Sequence, residues 1–259
     1  MENRPTHVET VDRLKVEVYP TREAMGAAAA TDCRRWIGEV LTSRRLCRMI
    51  FAAAPSQNEL LAEMRAAKDI PWERIEAFHM DDYHGLPAQA PERFSRFLQQ
   101  RLFDHVPLTA HLLDTQGLPI SEEMTRYAAL LNSAPIDAVC LGVGENGHIA
   151  FNDPLVADFD DPLSIKEVEL EETCRIQQFN DGAFPSLDAV PLRAVTLTIP
   201  TLTRGESLFC VVPGLRKAQA IKRMLTGPID ESCPASILRR HPRCKLYLDA
   251  ESASLWLET

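Results

Sequence analysis

The chain has 259 residues, 45% of them hydrophobic and 25% charged, and a formal net charge of −9. That length and composition support a sizeable folded core and exclude a disordered chain. The acidic balance excludes nucleic acid as the main partner, so an anionic ligand would have to be held by a local cluster of Lys, Arg and backbone N–H groups.

Residues 14–19 (LKVEVY) alternate as a strand does, and 21–43 form an Ala-rich helical stretch. An apolar run at 47–54 ends at Pro55, and 57–68 follows with helical periodicity. Residues 75–80 form a further strand. Segment 93–105 puts Phe94, Phe97, Leu98 and Phe103 near one helical face. A helix over 121–132 precedes an apolar strand at 136–141, which stops at Gly142. Residues 195–199 and 208–212 have the composition of buried strands, 215–225 and 234–240 are helical, and 245–248 form the last strand. Strands alternating with helices predict a single α/β domain over 1–259. Its sheet would be a doubly wound, Rossmann-like, mostly parallel one with helices on both faces. Ligands bind beyond the carboxyl ends of such strands, which selects 55–59, 79–86, 142–154 and 213–217.

Seven scattered cysteines without a Cys-x-x-Cys pair suit a reducing compartment rather than a disulfide framework or a zinc site. No apolar signal segment or stretch of ~20 apolar residues is present, so a cytoplasmic protein without membrane attachment is expected.

The segment His79-Met80-Asp81-Asp82-Tyr83-His84 places two carboxylates at a strand end. Crowded carboxylates suit a general base, whereas Asp and Gly also make an ordinary solvated turn. His79, Asp81 and His84 have a spacing that could also converge on a metal ion. Gly142-Val143-Gly144-Glu145-Asn146-Gly147-His148 spells G-x-G-x-x-G after a strand. Pro154 interrupts any helix soon afterwards, so the glycines are expected to serve a tight turn rather than a dinucleotide. His148 and Asp153 could form an imidazole–carboxylate pair. Ser56 and Glu59 fit a capping box, on a loop where Ser56, Gln57 and Asn58 could cradle an anion. Arg216 and Lys217 put two cations at a helix start, a place that favours them only beside an anion.

Taken together, FHMDDYHGLP (78–87), PERFSRFLQQRLFDHV (91–106), LGVGENGHIAFNDP (141–154) and VVPGLRKAQAI (211–221) resemble the glucosamine-6-phosphate deaminase/isomerase family, relatives of 6-phosphogluconolactonase. The resemblance runs through nearly the whole chain, and GHIAFNDP looks like the deaminase branch. It implies Asp81 as the base moving a proton between carbons 2 and 1, and His148 as the ring-opening histidine. Asp153 matches its carboxylate partner, usually Glu, and Asn146 an orienting group. It further implies Lys217 as a phosphate ligand, with Arg216, Gly144 and Gly147 nearby, and Asp82 and Tyr83 shaping the site. Arg175 is a candidate for an arginine that the deaminases place downstream. The phosphate loop, usually Ser/Thr-Gly-Gly-Thr/Ser, here reads Ser56-Gln57-Asn58-Glu59, losing two glycines and gaining a negative charge. The implied ligand is a small sugar phosphate, with no cofactor or metal, and a homo-oligomer is compatible. A lactonase, a plain isomerase or a non-catalytic sugar-phosphate sensor on the same scaffold are the rival readings.

Overall fold

The structure, a computed structural model, describes residues 4–117 and 119–258. Its elements in chain order are β1 (His7–Val11), β2 (Leu14–Tyr19), α1 (Arg22–Leu41), β3 (Cys47–Phe51), α2 (Asn58–Ala66), β4 (Ile75–His79) and β5 (Asp81–Tyr83). Then come α3 (Phe94–Arg101), β6 (Thr109–His111), α4 (Ile120–Asn132), β7 (Ala138–Leu141), β8 (Ile165–Glu169) and α5 (Glu172–Asn180). The chain closes with β9 (Arg193–Leu197), α6 (Ile199–Thr203), β10 (Ser207–Val212), α7 (Ala218–Thr226), β11 (Cys244–Asp249) and α8 (Ala250–Leu257).

Eight strands form one sheet in the order β1-β2-β11-β10-β7-β3-β4-β6, parallel except for the β1–β2 hairpin. Alternation within each strand explains why helices cover both faces. In β10, Leu208, Cys210 and Val212 join the cluster containing Ile221 and Met224 of α7 and Trp256 of α8. Phe209 and Val211 join the opposite cluster, with Met25 and Ile37 of α1 and Leu60 of α2. Each fully buried side chain of this size contributes roughly 1.5–3 kcal/mol. Among the described residues, no helix is long and apolar enough to cross a membrane.

Two expectations need correction. Residues 195–199 do not join the main sheet: β9 pairs antiparallel with β5 and β8 in a separate three-stranded sheet. That sheet packs Ala194 and Val168 against Tyr83, Phe151 and Phe184. The Ser56/Glu59 capping box does not form either. Ser56 lies inside a 3₁₀ turn (Pro55–Gln57), and no side chain caps α2.

Candidate active site

From β3 the sheet grows through β4 and β6 in one direction, and from β7 it grows through β10 and β11 in the other. The topological switch point therefore falls between β3 and β7, where an open α/β sheet leaves a crevice at its carboxyl edge. A cavity of about 730 Å³ opens there. All four segments selected from the sequence line it, contributing Ser56, Asp81, Gly144, His148, Arg216 and Lys217 among others.

The two adjacent carboxylates have separate fates because side chains alternate along β5. Asp81 lines the cavity, and its residue surface is only 5% exposed. Burial, and secondarily the charge of Asp82, push its pKa well above the ordinary carboxylate value. Asp82 does not line the cavity, contrary to expectation. It accepts hydrogen bonds from Ser95 Oγ (2.8 Å), Phe94 N (3.0 Å) and Arg93 Nε (3.2 Å), and so anchors the start of α3. Because Arg93 is itself buried, Asp82→Ala should strand its guanidinium and cost about 3–5 kcal/mol of stability, measured by urea unfolding. An unchanged urea midpoint with a raised KM would restore Asp82 as a substrate ligand.

Tyr83 is likewise a core residue, its ring against Phe94, Phe151 and Phe184 and its hydroxyl donating to Gln178 Oε1 (2.7 Å). The metal triad His79–Asp81–His84 does not assemble. Both ring nitrogens of His79 are engaged, with Asp81 O and Leu113 N, while His84 pairs with Glu167.

The glycine turn delivers His148. Gly147 has φ +93°, the left-handed region that glycine enters without strain, and its N–H donates to Gly144 O (3.0 Å). A Cβ on Gly144 would stand 2.2 Å from His148 Cε1 and Nε2, so the imidazole rests directly on that residue. His148 Nδ1 lies 2.8 Å from Asp153 Oδ1, out of line with the ring N–H, which makes this a close polar contact more than an aligned hydrogen bond. Asn146 braces both partners: its Nδ2 donates to Asp153 Oδ1 (2.8 Å) and its Oδ1 accepts from His148 N (3.0 Å). Burial raises the pKa of Asp153, but His148, Asn146 and the Cys174 thiol outweigh it and leave the carboxyl below its ordinary value. Asp153 is thus an anion behind the imidazole, away from the cavity lining. His148, Asp153 and Cys174 are a trio of metal-ligating side chains in reach of one another. Burial drives the thiol pKa upward, so without a bound metal ion Cys174 is a protonated donor to Asp153.

The segments expected to hold an anion depart furthest from the sequence reading. Ser56 lines the cavity, but Gln57 and Asn58 do not. Gln57 is fully buried, and its Nε2 donates to Val211 O (3.3 Å) and Leu141 O (3.4 Å), tying together the ends of β10 and β7. Glu59, the added charge, is neutralised by Arg22, which sequence reasoning passed over because it lies far upstream in the chain. Lys217 lines the cavity, and burial lowers its pKa while Asp181 and Glu145 oppose that shift. Arg216, also on the wall, pairs with Asp181 (2.6 Å). Arg175 faces elsewhere, donating to Leu187 O (2.8 Å) and Val190 O (3.2 Å), and Gly147 lies behind the wall against Cys233. Arg22, Arg101, Gln177 and Gln178 are wall residues that the sequence reading did not select.

A buried carboxyl and an imidazole–carboxylate pair around one crevice are the equipment of an acid–base enzyme on an open α/β sheet. Comparison with known proteins narrows the class. The sequence model described as glucosamine-6-phosphate isomerases/6-phosphogluconolactonase matches residues 20–153. Proteins named glucosamine-6-phosphate deaminase from Bacillus thuringiensis (strain Al Hakam) and Bacillus cereus (strain AH820) are each 34% identical over 246 residues, covering 95% of this chain and 90% of theirs. The chain belongs to this glucosamine-6-phosphate isomerase/6-phosphogluconolactonase family. Among solved structures, one described as a monomeric glucosamine-6-phosphate deaminase superposes with a TM-score of 0.85 at 28% identity, covering 93% of this chain and 99% of that one. A 6-phosphogluconolactonase from Thermotoga maritima shares the fold, with a TM-score of 0.73 at 19% identity over 91% of this chain and 100% of its own.

Proposed function

We propose that this chain is an isomerising deaminase that converts a 2-amino-2-deoxy-hexose 6-phosphate and water to a ketose 6-phosphate and ammonia. The observation that carries the reading is the placement of Asp81 and His148 on the wall of one cavity. His148, backed by the Asp153 anion, moves the proton that opens the sugar ring. Asp81 then takes the proton from carbon 2 of the open-chain aldehyde, giving an enolamine that is reprotonated at carbon 1. Water adds to the resulting carbon-2 imine, and the C–N bond breaks to release ammonia. A pKa raised by burial makes the Asp81 carboxylate a stronger base than an ordinary one and its acid form easier to restore. All seven cysteines are free and buried, in keeping with work in a reducing, cytoplasmic compartment.

The test is a panel of amino-sugar 6-phosphates assayed for ammonia and ketose phosphate together. Stoichiometric release of both from one of them is the expected result. Lactone opening or aldose–ketose exchange without ammonia would assign the scaffold to one of its other chemistries.

A further inference from the structure

The anion end of the crevice contains an internal competitor. Arg22 lines the cavity, and its Nε and Nη2 lie 2.8 Å and 2.9 Å from the two carboxylate oxygens of Glu59. This two-pronged pairing is one that a guanidinium makes equally well with phosphate oxygens. Nη2 also donates to Pro55 O (3.0 Å), beside the wall residue Ser56. Glu59 is held in place from below: α1 and α2 approach so closely at Gly26 that a Cβ there would stand 2.4 Å from Glu59 Cβ. The Arg22 side chain is 39% exposed and so open to an arriving ligand. It also occupies the first turn of α1, where the helix end disfavours a cation that lacks an anionic partner.

We propose that Arg22 receives the phosphate of the substrate and that Glu59 holds its guanidinium until the phosphate arrives. Glu59 then sets the affinity of the pocket for anions. A dianion competes for the fork better than a single carboxylate does, whereas an unphosphorylated amino sugar leaves the pair closed. Selectivity for the phosphorylated sugar would follow from this exchange, with Lys217 as a further cation on the same cavity wall. The inference rests on the phosphate-bearing substrate of the proposed reaction.

The experiment measures inorganic phosphate binding by calorimetry for the unmodified chain, Glu59→Gln and Arg22→Gln, alongside KM for an amino-sugar 6-phosphate that is turned over. Glu59→Gln should tighten phosphate binding and lower KM by about five-fold, the upper range for a half-exposed ion pair. Arg22→Gln should weaken phosphate binding by at least about ten-fold. Should Arg22→Gln lose its cooperative thermal transition, Arg22→Lys takes its place and should also weaken binding, since it keeps the charge and loses the fork. Unchanged or weaker phosphate binding in Glu59→Gln, or undiminished binding in the Arg22 variant, overturns the proposal. The phosphate arm needs no turnover, so a chain that releases no ammonia would sink the deaminase reading and still leave this one decided.

Discussion

Replacing Asp81 with Asn is expected to lower ammonia release by at least about two orders of magnitude, the contribution of one well-placed general base. The same substitution should raise the thermal midpoint at neutral pH. The folded-state pKa of Asp81 is raised, so the stability its carboxyl contributes is full below the unfolded-state pKa and is lost as pH climbs through the folded one. Above the unfolded-state pKa, burying this carboxyl costs the fold either the desolvation of its charge or the uptake of a proton, and the uncharged isostere removes that cost. For the same reason the acid limb of kcat/KM should fall above the ordinary carboxylate range, because the base works only when deprotonated. Wild-type turnover in Asp81→Asn would remove Asp81 from the chemistry. A lowered midpoint would contradict the account of its burial.

Gly144→Ala should be nearly as damaging, although it removes no functional group. The added methyl would occupy the place of the His148 ring, whose Cε1 and Nε2 lie 2.2 Å from it. A displacement of about 1 Å in a catalytic group can cost roughly a hundred-fold in rate, and a loss of that order in kcat is expected. Gly38→Ala on α1 is the control: a Cβ there meets nothing within 4 Å, and activity should persist. Equal activity in both variants would mean that the imidazole position is immaterial to the reaction.

Much of this arrangement was legible in the sequence. The strands of the parallel sheet announced themselves as short apolar runs, and the polar segments that follow them do meet at the crevice. What the sequence hid was small or discontinuous. Strand β5 has three residues, Asp81–Tyr83, and reads as a turn because its partner β9 lies more than a hundred residues downstream. The contrast between Asp81 and Asp82 follows from that pairing, and composition alone treats the two as equals. Helix α5 carries Gln177 and Gln178 with a weak apolar stripe that periodicity does not reveal. Arg175 illustrates the opposite error: the right residue type in the right stretch was turned by the helix toward carbonyls of the 187–190 segment. The Ser56–Glu59 spacing matched a local motif, yet a long-range partner, Arg22, claimed the carboxylate.

The small sheet has a consequence of its own. Asp81 rides on β5, while His148 hangs from the loop leaving β7, so the two groups of the proposed proton transfers are mounted on different pieces of framework. Asn152 Nδ2 donates to Leu197 O (2.9 Å), and Phe151 N donates to Thr196 Oγ1 (3.1 Å), joining that loop to β9 beside β5. These contacts act as rivets between the framework that carries Asp81 and the loop that carries His148. Substitutions at Asn152 or Thr196 would put the machinery out of tune while leaving every working part intact.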